Sequence, residues 1–327
     1  MHRAKTMTAA QVTEKGKFTV IETPVPECPE GGVLLKNRFA SICGSDLHIA
    51  IYGMFDQFPM PPGAPGHESV GTVAESRSKD WREGDEVMCA PMFWDSRCFA
   101  DYQAARASVL VKLRSGAASE HQLMAQQLGT VIYAAKRMPS LFGKTVAVIG
   151  QGSAGLFWDF VLKRLGAERV IAFDPVAHRR VVAPKFGGDT AHSETGAEAV
   201  KLLQGQTGGR GADVVIEACG STPTLNQAYE MVADQGLVVM FGLPDSSQPV
   251  PVSHATIFRK RPSMFVPWGS QEEPGLSSYR QALDWIVSGQ IDVRPITTHF
   301  LPLTSIREAF DLAHSRLDKA IKVTLTF

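Results

Sequence analysis

Ten residues, "VAVIGQGSAG" (146–155), constrain the fold of this chain more than any other stretch. A short apolar run ends on Gly150, Gly152 and Gly155 in G-x-G-x-x-G spacing, and a helical pattern, "AGLFWDFVLKRLG" (154–166), begins at once. Each glycine has its own physical reason. Gly150 permits a tight turn, Gly152 lets a pyrophosphate approach the main chain, and Gly155 lets the helix pack close to the strand. Ser153 and Ala154 open the helix, whose first N–H groups then face the phosphate charge. The next apolar run, "RVIAFD" (169–174), ends on Asp174, 19 residues after Gly155. A carboxylate there accepts hydrogen bonds from both ribose hydroxyls and repels a 2′-phosphate, which favours NAD over NADP. His178, Arg179 and Arg180 follow. They suit a solvated helix face, but a 2′-phosphate could recruit them, so Arg179 joins the cofactor-binding candidates. Pro184 should shorten or kink the helix that carries them.

The same pattern continues through "ADVVIE" (212–217), "GLVVMFG" (236–242) and "SMFVPW" (263–268). Continuous apolar runs separated by helical stretches predict a doubly wound parallel sheet of the α/β class. Residues 1–123 lack this alternation and read as β-rich, with runs such as "GGVLLKNRFA" (31–40) and "SVGTVAE" (69–75). The expected division is 1–126 and 266–327 for the β-rich part and 127–265 for the dinucleotide part.

Composition narrows the function. Lys+Arg and Asp+Glu both number 33 in 327 residues, which argues against nucleic acid or an anionic membrane as partner. No apolar run reaches 18 residues, and the first 20 lack the apolar core of a secretory signal, so a cytoplasmic location is expected. The five cysteines, Cys28, Cys43, Cys89, Cys98 and Cys219, are scattered like reduced thiols rather than a disulfide framework.

Two β-rich segments carry chemistry. "SICGSDLHIA" (41–50) places Cys43, Ser45, Asp46 and His48 within six positions, and "PGHESVG" (65–71) places His67 beside Glu68. Thiolate, imidazole and carboxylate are zinc-type ligands, and catalytic zinc sites use three with a fourth position open. Taken singly, Cys43 reads as core and His67 as a hydrogen-bonded loop residue. With a dinucleotide domain downstream, the metal reading takes precedence.

The chain resembles the zinc-dependent medium-chain dehydrogenase/reductase family in "ICGSDLH" (42–48), "PGHESVGTV" (65–73), "GDEV" (84–87), "VAVIGQGSAG" (146–155), "GADVVIEACG" (211–220) and "KAIKVTLTF" (319–327). The resemblance implies a GroES-like catalytic domain that leaves for a Rossmann domain and returns for a last helix and strand. Ser305 and Glu308 have capping-box spacing for that helix. It implies Cys43, His67 and Glu68 as ligands of one catalytic zinc, Ser45 and His48 as a proton relay, and Asp46 as an orienting group. Glu68 counts both as a ligand and as a catalytic carboxylate. Lys322 would sit by the cofactor pyrophosphate, and Thr130 and Val131 beside the nicotinamide.

Two departures stand out. Cys89 and Cys98 cannot complete the four-cysteine structural zinc lobe of many relatives, so no structural zinc is expected. Gln126 takes the position where the polyol branch has a third-ligand Glu, which implies a weakened but occupied zinc site. Converting Gln126→Glu should then raise zinc retention. Tyr52, Phe93 and Trp94 fall where relatives line the substrate cleft, though plain packing explains them as well.

The implied activity is hydride transfer between NAD(H) and a secondary alcohol, polyol or hydroxy-amino compound and its ketone. A zinc-free enone or quinone reductase and a non-catalytic NAD-binding protein are the alternatives. A homodimer is expected through the Rossmann sheet edge, at "SMFVPW" or near "SQPVPVS" (247–253), with a tetramer as the alternative.

Overall fold

The computed structural model describes residues 5–55, 57–92 and 94–327. The chain forms two compact units, Met1–Thr130 with Gly269–Phe327, and Val131–Trp268. The first opens with an antiparallel hairpin, β1 (Thr6–Glu14) and β2 (Lys17–Pro24). Then come β3 (Gly32–Ser41), β4 (Ser69–Ser76), β5 (Glu86–Cys89), β6 (Tyr102–Arg106) and β7 (Leu110–Lys112). The second unit holds β8 (Thr145–Ile149), β9 (Arg169–Phe173), β10 (Thr190–His192), β11 (Ala212–Glu217), β12 (Val232–Met240) and β13 (Ser263–Phe265). The returning segment adds β14 (Thr297–Pro302) and β15 (Lys322–Thr326) to the first unit.

In the first unit the path β14-β15-β3-β4-β5-β7 forms one sheet, with β6 also paired to β3. The register at the end of β3 matters for function. Ala40 lies opposite Ser69 of β4, and Ser41 lies opposite Thr324 of β15. Ser41 N donates to Glu68 O at 3.0 Å, and Ile42 N donates to Val323 O at 2.9 Å. Segments far apart in sequence are thereby clamped to consecutive residues just ahead of Cys43. The helix Ile306–Ser315 packs Phe310 against Phe99 and Phe18, with ring centroids 5.7 and 4.3 Å away.

Ser305 is the N-cap of that helix, but its side chain makes no capping hydrogen bond. A 3₁₀ turn, Leu303–Ser305, runs directly into the helix and leaves Ser305 outside the extended conformation that a capping side chain needs. The capping box expected from spacing is therefore not formed.

In the second unit all six strands are parallel in the order β10-β9-β8-β11-β12-β13. Numbered from β8, this is the 3-2-1-4-5-6 arrangement of doubly wound dinucleotide folds. Central β8 is buried at every residue, as a strand covered on both faces must be. Edge strand β10, three residues long, was not legible as an apolar run. The helix Ala177–Val182 stops after six residues, and Pro184 sits in the 3₁₀ turn Ala183–Phe186. Residues 247–253 form no strand, so the sheet edge on this side is β13. No described helix is long and apolar enough to cross a membrane.

Candidate active site

Cys43 caps the helix Gly44–Ala50, and its extended ψ of 160° turns the chain out of β3 into that helix. Asp46, fully buried at the third helical position, reaches back so that its Oδ2 accepts the Cys43 N–H at 2.8 Å. Its other oxygen, Oδ1, lies 3.0 Å from His67 Nδ1. One carboxylate thus fixes both the cysteine main chain and the imidazole. With Nδ1 engaged by Asp46, Nε2 is the nitrogen presented to a ligand. Burial opposes protonation of His67; the Asp46 carboxylate and the Cys43 sulfur outweigh it and hold the imidazole well above its ordinary pKa.

Glu68 follows His67 and is buried. Its Oε2 accepts from Ser41 Oγ and lies 2.6 Å from Lys322 Nζ, an ion pair outside the alignment of a regular hydrogen bond. Burial raises the Glu68 pKa, but Lys322 and then His67 outweigh it, and the carboxyl sits below its usual range. Lys322 is 2% exposed, and it stays charged because Glu68 and Cys43 overcome its own burial. Lys322 is therefore not free for the pyrophosphate in the manner expected. A buried ammonium needs a counter-ion, and the register of β15 on β3 supplies Glu68.

Ligand atoms of Cys43, His67 and Glu68 all lie within 4.8 Å of one another. Glu68 Oε1 is buried without a hydrogen-bond partner. A thiol, an Asp46-oriented imidazole and an orphaned carboxylate oxygen converging in this way fit a zinc-type cation. Ser45 Oγ is 3.2 Å from His67 Nε2, at the edge of the cluster. His48 is half-buried, and its ring meets the edge of Tyr52 with centroids 5.3 Å apart. Tyr52 OH in turn bonds His314 Nε2 at 3.2 Å. Trp94 is exposed, and Phe93 lies outside the described residues.

Gln126 is buried on the helix Ala125–Ala135, and its main-chain oxygen accepts from Thr130 Oγ1. The side chain that reaches Cys43 is that of its neighbour: Gln127 Nε2 lies 3.8 Å from Cys43 Sγ. Consecutive helical residues point about 100° apart, so the side chain of Gln126 leaves the helix in a different direction from that of Gln127. Thr130 Oγ1 also lies 3.3 Å from Ser270 Oγ, and Val131 is fully buried. Ser41, Gln127 and the Glu68–Lys322 pair were missed in the sequence. A lysine opening the strand "KVTLT", beside Val323 and Leu325, was the available signal, since a charge on a strand that is to be buried requires a partner.

In the second unit Gly150 and Gly155 have the turn and close-packing roles that their spacing implied. Gly150 has φ +94°, and a Cβ on Gly155 would stand 1.8 Å from Gly150 O. Gly152 is the N-cap of the helix Ser153–Arg164, so Ser153 and Ala154 form its first turn. Asp174 is buried; its Oδ2 accepts the Gln151 N–H at 2.7 Å and its Oδ1 accepts the Val176 N–H at 2.8 Å. Arg179 Nη1 lies 3.8 Å from Asp174 Oδ2 and 3.7 Å from a Cβ placed on Gly152. Arg179 is thus buried against the glycine turn rather than part of a solvated face. Arg180 Nη1 donates to the carbonyls of Asp174 and Pro175.

Comparison with known proteins agrees with this geometry. A family model described as "Alcohol dehydrogenase GroES-like domain" matches residues 29–135, and one described as "Zinc-binding dehydrogenase" matches 155–288. An L-threonine 3-dehydrogenase of Bacillus velezensis is 28% identical over 321 residues, covering 90% of this chain and 91% of its own. An alcohol dehydrogenase of Cupriavidus necator is 25% identical and covers 98% of both chains. The solved structure of an alcohol dehydrogenase from a Thermus species superposes with a TM-score of 0.82 at 26% identity, covering 98% of this chain and 100% of that one. The chain belongs to the zinc-dependent medium-chain dehydrogenase/reductase family, with a GroES-like catalytic unit and a Rossmann unit.

Proposed function

We propose that this protein is an NAD-linked dehydrogenase that interconverts a secondary alcohol, polyol or hydroxy-amino compound and its ketone. The observation that carries the reading is the convergence of Cys43, His67 and Glu68 around an orphaned Glu68 Oε1. The names of the relatives, threonine and alcohol dehydrogenases, support the substrate class. When bound, zinc supplies the Lewis acid that makes an alcohol hydroxyl acidic, and the dinucleotide supplies the hydride acceptor.

The chain's own groups do the rest. Cys43, His67 and Glu68 would hold the ion. Asp46 keeps the imidazole aimed, and Lys322 with Ser41 fixes Glu68 Oε2 while leaving Oε1 for the ion. Ser45 Oγ would accept the hydroxyl proton while passing its own toward half-buried His48, one helical turn on, which would release a proton to water. Gly150, Gly152 and Gly155 bring the N–H groups of Ser153 and Ala154 to the pyrophosphate. Asp174 receives the ribose hydroxyls, which favours NAD, and Arg179 beside it moderates that preference.

We read one zinc per chain and no second, structural ion. Cys89 and Cys98 are buried thiols, and burial pushes Cys89 up to about 12, which opposes the thiolate a ligand must be. The five free cysteines suit a reducing cytoplasm. Edge strand β13 exposes Met264, and Val266 beyond it is exposed as well, a surface suited to a homodimer of paired sheets. Zero net charge and the small cluster leave a small-molecule alcohol or ketone as the partner, not nucleic acid or membrane.

The test is metal content per chain by plasma mass spectrometry, followed by an alcohol panel with NAD and NADP. About one zinc and NAD-linked turnover are expected. Near-zero metal that added zinc does not restore would move the zinc-free or non-catalytic readings ahead.

A further inference from the structure

Three side chains of the cluster have ligand chemistry, and a fourth polar group reaches it from the helix Ala125–Ala135. Gln127 is 8% exposed, and its Nε2 lies 3.8 Å from Cys43 Sγ. Its other amide atom, Oε1, is buried with no hydrogen-bond partner. Glu68 Oε1 is in the same condition. A buried oxygen left without a donor forfeits the hydrogen bonds that water would give it. Two side chains at one thiol–imidazole cluster thus carry unpartnered acceptors, both of the type that a divalent cation satisfies.

We propose that Gln127, and not Gln126, is the fourth protein group of the metal site, with its amide oxygen offered to the cation. The proposal rests on reading Cys43, His67 and Glu68 as metal ligands. Its independent support is the pairing of a Cys43 contact with an orphaned oxygen on one nine-tenths-buried side chain. Gln126 has neither in its favour. Its main-chain oxygen serves Thr130, and helical geometry turns its side chain about 100° from that of Gln127. Rotation of the Gln127 amide about its last bond exchanges nitrogen for oxygen without moving the helix, so the contact with Cys43 is compatible with either atom facing the cluster. A neutral amide oxygen adds no charge to those of the Cys43 thiolate and Glu68. The anions of Cys43, Glu68 and Asp46 then match a divalent ion together with Lys322, which stays paired with Glu68.

The experiment uses the full chain, stripped with chelator and titrated with Co²⁺ and with Zn²⁺. The thiolate-to-cobalt absorption band reports Cys43, and the visible d–d bands report the rest of the ligand set. Gln127→Ala should weaken Co²⁺ and Zn²⁺ binding by at least about tenfold and alter the d–d bands, while leaving the thiolate band in place. Gln127→Glu, which keeps the volume and adds charge, should tighten binding by about as much. Gln126→Ala and Gln126→Glu should leave affinity within about twofold of the parent. If Gln127→Ala does not fold, the Gln127→Glu arm decides alone, and no tightening there overturns the proposal. Unchanged affinity and spectrum in Gln127→Ala, or a loss that follows Gln126 instead, also overturns it. A parent protein that binds neither metal at about one per chain fails at the earlier step, and the metal reading falls together with this one.

Discussion

The two units handle buried carboxylates in opposite ways. In the β-rich unit Glu68 is ionised in the interior because Lys322 stands 2.6 Å away, and its pKa is held low. In the Rossmann unit Asp159 is equally buried, but its neighbour is the neutral Gln151 amide at 3.4 Å, and burial pushes its pKa well up. The first unit keeps charge inside because Lys322 and Glu68 are brought together as a buried pair. The second offers main-chain amides at a glycine turn, and the buried carboxylate beside that turn, Asp174, has Arg179 at 3.8 Å. A catalytic site made of side chains depends on pairs brought from distant segments, whereas a site made of backbone depends on the absence of side chains.

The sharpest way to break this contrast is to remove a ligand. Cys43→Ser should drop metal from about one per chain to near none and lower turnover by more than about a hundredfold, as read by metal analysis and steady-state rates. NAD binding, measured by titration, should be unchanged, because the glycine turn lies in the other unit. A parallel loss of NAD binding would mean that the two sites are not separable.

Next in size is Lys322→Met. Stranding an ionised Glu68 in the interior should cost about 3–5 kcal/mol in denaturant unfolding. Adding Glu68→Gln should recover most of that stability without restoring activity. A single variant as stable as the parent would show that the pair carries no structural weight.

The glycines sharpen the other side of the comparison. Gly155→Ala places a methyl 1.8 Å from Gly150 O, where only main chain can yield, and should cost about 1–3 kcal/mol as well as weakening NAD. At Gly152 the nearest atom to an added Cβ is Arg179 Nη1 at 3.7 Å, so Gly152→Ala should fold normally and weaken the dinucleotide alone. Equal destabilisation of the two variants would contradict the separate roles assigned to them.

The smallest effect concerns pH. Because Asp159 is protonated more readily in the fold than when unfolded, the stability it contributes is complete below the ordinary carboxylate range and is lost as pH rises through its raised value. Melting temperature should therefore fall with rising pH in the parent relative to Asp159→Asn, which cannot titrate. A parent curve parallel to that of Asp159→Asn would remove the burial argument.

Local patterns were legible because their causes are local. The turn at 150–155, the acidic residue after β9 and five of the six parallel strands, with β8, β9 and β11 at nearly their full extent, follow from apolar period and glycine spacing. Helix termination before Pro184 follows from a missing N–H. Edge strand β10 escaped notice because a three-residue polar strand owes its conformation to β9 rather than to its own residues. The Ser305 capping box failed for a similar reason: the preceding 3₁₀ turn set the backbone before the side chain could choose it.

The sequence by itself determined the candidate ligand types, the glycine turn and the alternation of strand and helix in the Rossmann unit, all of which are properties of residues close together in the chain. Only the tertiary structure decided that Asp46 serves both Cys43 and His67, that Lys322 answers Glu68, and that Gln127 rather than Gln126 meets Cys43. The physical reason is register. Pairing of β15 with β3 and the rotation of one helix by a single residue select which side chains share a buried volume, and neither leaves a mark within any short stretch of sequence.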